Sequence, residues 1–124
     1  MKAIHYDTDG DILSVTFADA TVNKHTGIEL TDNIILYFNP DTEEPLRLIL
    51  LSYQAMLKAS AKAPILLDGL QELPAKVQSV IIGLLQRAPL TAFLQLDDAS
   101  GKTRLAGRLH EVFTPSTLQM VATT

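Results

Sequence analysis

Three groupings of side chains have the types and spacing that chemistry requires. Asp7-Thr8-Asp9-Gly10-Asp11 sets carboxylates at alternate positions, as calcium loops do because the ion takes about six to eight oxygen ligands. The rest of that loop departs from the pattern: glycine stands fourth, Ile12 is sixth, and Ala18 is twelfth in place of a bidentate Glu. The spacing predicts instead a β-turn whose Asp side chains cap the backbone and whose Gly10 takes a positive φ. Ser100-Gly101-Lys102-Thr103 ends like a phosphate-binding loop, but Leu96 stands where the earlier glycine belongs. The residues that follow alternate like a strand, so a hairpin turn is expected there.

That strand supplies the third grouping, in which Lys102, Arg104, Arg108 and His110 form a concentrated positive stripe. It suits an acidic partner surface or a phosphate, yet no aromatic side chain is interleaved with it as single-strand nucleic-acid platforms require. The bland reading is a solvated strand face. The three histidines, His5, His25 and His110, fall in separate segments, without the close His-His or His-Glu spacing that binds zinc. No catalytic, cofactor-binding or metal-ligating set is assigned from these residues. Nucleic acid and membrane are not expected as partners.

Composition narrows the remaining classes. The chain has 124 residues, 47% of them hydrophobic, and 10 basic against 14 acidic side chains, which predicts one folded domain. It has no cysteine, so disulfides, thiolate metal sites and cysteine nucleophiles are excluded. Met1 to Asp7 turns acidic before an apolar leader develops, and no long apolar run follows. A cytoplasmic protein is expected. The net charge of −4 is unevenly spread, because residues 1–55 hold three basic and nine acidic side chains whereas the remainder holds seven and five. That balance argues against nonspecific attachment to phosphate backbones.

The elements that position these groups are strands first. Residues 3–6 read as a strand closed by a turn at 7–10, and Leu13, Val15 and Phe17 then alternate with Ser14 and Thr16. A third strand ends near Leu30, and Thr31-Asp32-Asn33 turns the chain into residues 34–38. After Asn39-Pro40-Asp41-Thr42 comes a fifth strand over residues 46–51. The last two strands are apolar on both faces: Ile34, Leu36, Phe38, Leu46, Leu48 and Leu50 on one, Ile35, Tyr37, Ile49 and Leu51 on the other. The second face needs a cover. Within the chain the candidate is the helix expected over residues 74–87, where Leu73, Val77, Val80, Ile81, Leu84 and Leu85 recur at helical spacing between Pro74 and Pro89. A partner subunit is the alternative cover.

Residues 52–62 read as a short helix ending before Pro64, and residues 91–96 and 103–113 as the arms of a hairpin, followed by a short helix capped near Ser116. The expected architecture is α+β: an antiparallel β-meander with helices packed on one face and a C-terminal β-hairpin extending or closing the sheet, in a single domain over residues 1–124.

Tyr6-Asp7-Thr8-Asp9-Gly10-Asp11-Ile12-Leu13, followed by Glu29-Leu30-Thr31-Asp32-Asn33-Ile34-Ile35-Leu36 and a turn into an apolar strand, resembles the small prokaryotic domain-of-unknown-function family numbered 2283. The resemblance covers residues 3–54, and the second half is unmatched. It implies an antitoxin-like or partner-binding role. Two departures stand out. Tyr37 replaces the acidic residue usual in the family's fourth strand, and Arg47-Leu48-Ile49-Leu50 replaces the usual Gly-Ile-Glu-Ile. These changes make the outer sheet face apolar and predict that the added second half packs there.

The leading functional expectation is a non-enzymatic cytoplasmic interaction module that binds itself as a homodimer or binds another protein. Tyr37, Ile49 and Tyr53 are the candidate pocket or interface residues. A small-molecule binder with its pocket between sheet and helix, using Tyr37, Tyr53 or His5 as polar handles, is the alternative. A hydrolase or metal-dependent enzyme is the third reading.

Overall fold

Alternation in the first half produces five strands in the computed structural model, which describes residues 3–18, 24–97 and 102–105. They are β1 (Ala3–Asp7), β2 (Ile12–Thr16), β3 (Thr26–Thr31), β4 (Ile34–Asn39) and β5 (Glu44–Leu51), paired antiparallel throughout. β3, β4 and β5 succeed one another as the meander. The β1–β2 hairpin joins it through β2, giving the spatial order β1-β2-β5-β4-β3.

Beyond β5 come α1 (Tyr53–Lys62), β6 (Ile65–Leu66), α2 (Asp68–Gln71), α3 (Ala75–Leu85), β7 (Leu94–Asp97) and β8 (Lys102–Leu105). The fold is α+β, as the patterning predicts. The C-terminal hairpin does not extend the five-stranded sheet; β7 and β8 build a separate sheet with β6, in the order β6-β8-β7. Its first arm starts at Leu94 and not at Thr91, because Leu90–Ala92 turn as a 3₁₀ helix and the Phe93 amide donates to the Leu90 carbonyl at 3.0 Å. The expected second arm beyond Leu105 and the helix near Ser116 lie outside the described residues.

The core shows which sheet face the second half covers. Leu13, Val15, Leu36, Leu48 and Leu50 are fully buried and share one cluster with Tyr53, Met56, Leu67, Leu70, Ile81, Leu84, Leu85, Leu90, Phe93 and Leu94. The helices and the second sheet therefore pack on the Leu48 side. The expectation that residues 74–87 cover the Tyr37 and Ile49 face is incorrect. That face interleaves Ser14, Thr16 and Arg47 with its apolar groups, and burying those without partners costs more than their neighbours return.

A polar latch directs the chain to the inner face. Asp11, at φ 54, is the left-handed residue of the β1–β2 turn, a role expected of Gly10. Asn and Asp tolerate this region because their short side chains bond locally. Here the Asp11 carboxylate reaches across the sequence instead. It accepts from the Gln54 amide at 3.0 and 3.1 Å and from the Tyr6 hydroxyl at 2.6 Å, while its carbonyl accepts from the Tyr53 amide at 2.9 Å. The residue before α1, Ser52, is itself left-handed and makes no side-chain cap. Asp11 thus serves as the N-cap of a helix more than forty residues away.

Asp11→Ala is expected to lower the unfolding free energy by about 1–2 kcal/mol, the usual cost of a lost helix cap. Asp11→Asn keeps an acceptor and the left-handed backbone, so it should retain part of that stability. Urea unfolding of the two variants measures this, and equal stability of Asp11→Ala and the parent would refute the latch.

The hydrogen bond to Asp11 raises the pKa of Tyr6 above its ordinary value, and burial and the Asp11 charge push the same way. Because the folded pKa lies above the unfolded one, this contribution is complete below about pH 10 and is lost as pH rises through the folded value. Melting temperatures taken across the alkaline range should fall more steeply for the parent than for Tyr6→Phe. Parallel curves would show that Tyr6 carries no such linkage.

Candidate functional site

Strand alternation fixes the composition of the outer sheet face, and the cross-strand register assembles it into three rows. One row runs Thr16, Arg47, Tyr37 and Gly27; the next runs His5, Ser14, Ile49, Ile35 and Glu29; the third holds Asp7, Ile12 and Leu51. Ile12, Ile35, Ile49 and Leu51 are each half-buried by their neighbours on the sheet. None of them belongs to the core cluster or packs against it. Among the described residues, no helix or strand is laid over them.

An open cavity of about 410 Å³ lies on this face, lined by the four aliphatic residues with His5, Asp7, Ser14 and Arg47. The arrangement is an apolar floor with charges at its margin. Arg47 is exposed and has no ion pair among the described residues. The Asp7 carboxylate accepts from the Asp9 amide at 3.1 Å, so the expected capping role of the Asp side chains holds in the turn.

The sequence-predicted interface residues separate. Ile49 is in the floor. Tyr37 shares the face but leans toward the β3 edge: a Cβ added to Gly27 would stand 2.7 Å from the Tyr37 ring. An aromatic ring placed over a glycine on the neighbouring strand protects a backbone that lacks a side chain. The ring also meets His25 edge-on at 6.2 Å. Tyr53 is on the opposite side of the sheet, only 1% exposed, with its ring 6.1 Å from that of Tyr6. It is a core residue and cannot share a surface with Tyr37.

No family model matches this chain, and neither does any curated protein or solved structure.

The other candidate residues have simpler positions. Lys102 and Arg104 belong to β8, where Lys102 is paired with Leu66 and Asp97 and Arg104 with Gln95. The Lys102-Thr103 segment is thus strand backbone bonded into a sheet, which is not how a phosphate-binding loop presents its amides. Arg108 and His110 lie outside the described residues. His5 and His25 stand on different strands or loops, and no group of three His, Asp or Glu side chains suited to a metal ion occurs among the described residues. No helix among them is long and apolar enough to cross a membrane.

Sequence reasoning placed Ile35, Tyr37, Ile49 and Leu51 on one face but missed Ile12, Asp7 and Arg47 as their companions. The alternation of β2 does assign Ile12 to the side opposite Leu13. What joins it to Leu51 is the pairing of β2 with β5, and that contact is long-range.

Proposed function

We propose that this chain is a non-enzymatic protein-interaction module that acts through the outer face of its five-stranded sheet. One observation carries the reading: Ile12, Ile35, Ile49 and Leu51 form a contiguous apolar floor outside the core, rimmed by His5, Asp7 and Arg47. An apolar centre with a polar margin is the anatomy of a protein contact. Scattered surface aliphatics need no explanation, but a contiguous group on a sheet face does. The resemblance over residues 3–54 adds an antitoxin-like role, in which the partner is a toxin-like protein in the cytoplasm.

The test is native mass spectrometry of the protein purified gently from its own cells, with Ile49→Asp beside the parent. The expected result is an assembly in the parent that is lost in the variant while its melting temperature stays within about 2 °C, since a surface change away from core features rarely alters stability much. An assembly that survives Ile49→Asp would overturn the assignment of this face.

The cavity also supports a second reading, a small-molecule binder, because its volume falls in the range of ligand sites. This version differs from the expected pocket between sheet and helix, since the cavity opens on the helix-free side. A thermal-shift screen is its test: a ligand-dependent rise that Ile49→Asp abolishes would favour it over the interaction module.

A further inference from the structure

We infer that the occupant of the outer sheet face is a second copy of this chain, docked face to face about a two-fold axis that passes over Ser14 and pairs Arg47 of each copy with Asp7 of the other. The inference rests on the reading of that face as a contact surface. Its basis is the distribution of charge over the three rows. Arg47 sits in the first row on β5, and Asp7 sits in the third row on β1. Ser14, in the middle row on β2, is the midpoint between them. With strands about 4.8 Å apart and a rise of about 3.3 Å per residue, the two charges stand roughly 16 Å apart on a diagonal of the face.

A two-fold axis lying in the interface, perpendicular to that diagonal, exchanges the two ends. Each Arg47 then meets the carboxylate of the other copy, twice per dimer, as an isologous interface requires. The same operation lays Leu51 of one copy between Ile49 and Ile35 of the other, so the apolar floor covers itself. The strands of the two copies cross at about 70°, within the orthogonal class of sheet packings. A face that is complementary to itself in both charge and apolarity selects another copy over an unrelated partner.

The size of the face sets the class of the contact. Five strands of five to eight residues give a face roughly 20 Å by 20 Å, and because the axis passes over β2, one strand from the centre, the copies share less than the whole of its footprint of about 400 Å². Standard interfaces take about 800 Å² from each partner, and smaller ones belong to reversible complexes. A dimer of this size belongs with the reversible complexes, in exchange with monomer.

Sedimentation velocity over a concentration series, on the full chain, tests this with two charge reversals. Arg47→Glu sets carboxylate against carboxylate at both contacts, and Asp7→Lys sets cation against cation, so each variant alone should weaken dimerisation at least about tenfold. Mixed in equal amounts, the two variants form a heterodimer in which both contacts are again between opposite charges. The mixture should recover dimerisation to within about threefold of the parent, an outcome no other site of contact produces. Circular dichroism verifies that Asp7→Lys, which loses the Asp9 turn contact, remains folded, and Arg47→Glu alters an exposed side chain only.

A parent chain that stays monomeric to about 100 μM, well above the weak-complex range, overturns the inference. So does a mixture that fails to recover. In either case, a heteromeric assembly from native cells that Ile49→Asp dissolves keeps the interaction-module reading and replaces the second copy with another partner. A monomer that Ile49→Asp destabilises would place this face inside the folded chain, against both readings.

Discussion

Leu48→Ala should lower the unfolding free energy by about 3 kcal/mol and leave association unchanged, whereas Ile49→Asp, one residue along, should do the reverse. Leu48 is fully buried in the middle strand of the sheet, opposite Val15 on one side and Leu36 on the other. Both neighbours are themselves fully buried, so the cavity left by truncation has rigid walls and collapses little. That places the cost near the middle of the range of about 2–5 kcal/mol seen for such truncations. Ile49 points the other way, between Ser14 and Ile35, and touches none of the core. Urea unfolding and sedimentation of the two variants measure both halves of the contrast. If Ile49→Asp unfolds the protein while Leu48→Ala does not, the assignment of inner and outer faces is reversed.

Gly69→Ala should destabilise by about 2–3 kcal/mol, although alanine is the better helix former. The reason is the approach of α2 to β3. A Cβ at Gly69 would overlap the carbonyl of Glu29 and stand 3.1 Å from the Leu30 carbonyl oxygen. Both obstacles are backbone, which cannot rotate aside, so either α2 or the β3 edge must shift. Leu67 and Leu70, the neighbouring core residues, would move with it. Gly83 in α3 provides the control, since a Cβ there meets nothing within 4 Å. Gly83→Ala should be neutral or stabilising by up to about 1 kcal/mol, in line with helix propensity. Thermal unfolding of the pair separates close approach from a general effect of glycine, and a stabilised Gly69→Ala would show that α2 does not lie against β3.

Much of the architecture was legible because its signals are local. Alternation located four of the five strands and the end of β3 to within one or two residues, and Thr31 marked its turn, where the Asn33 amide donates to its hydroxyl at 3.0 Å. Composition ahead of Pro64 located α1, and helical spacing located α3. The short α2 was not expected, since four residues carry too little periodicity to register. The candidate site was legible in part: alternation sets Arg47, Ile49 and Leu51 on one face of β5, while Ile12 and Asp7 join them only through the long-range pairing of β2 with β5 and the pairing of β1 with β2.

The sequence by itself determined which residues share a face of each strand, because side-chain direction has a period of two and depends on nothing distant. It also determined that β4 and β5 would be apolar on both faces. It left open which of those faces becomes the core: Arg47 weighs against the Ile49 face, but Ser14 and Thr16 join Arg47 there only through the pairing of β2 with β5. Only the tertiary structure decided that. After Leu51 the left-handed Ser52 reverses the chain, and Asp11 captures the first turn of α1, so Tyr53 and the described elements after it lie on the Leu48 side. A contact between residues 11 and 54 lies beyond any local pattern, and it is this contact that leaves Ile12, Ile35, Ile49 and Leu51 on the open side of the sheet.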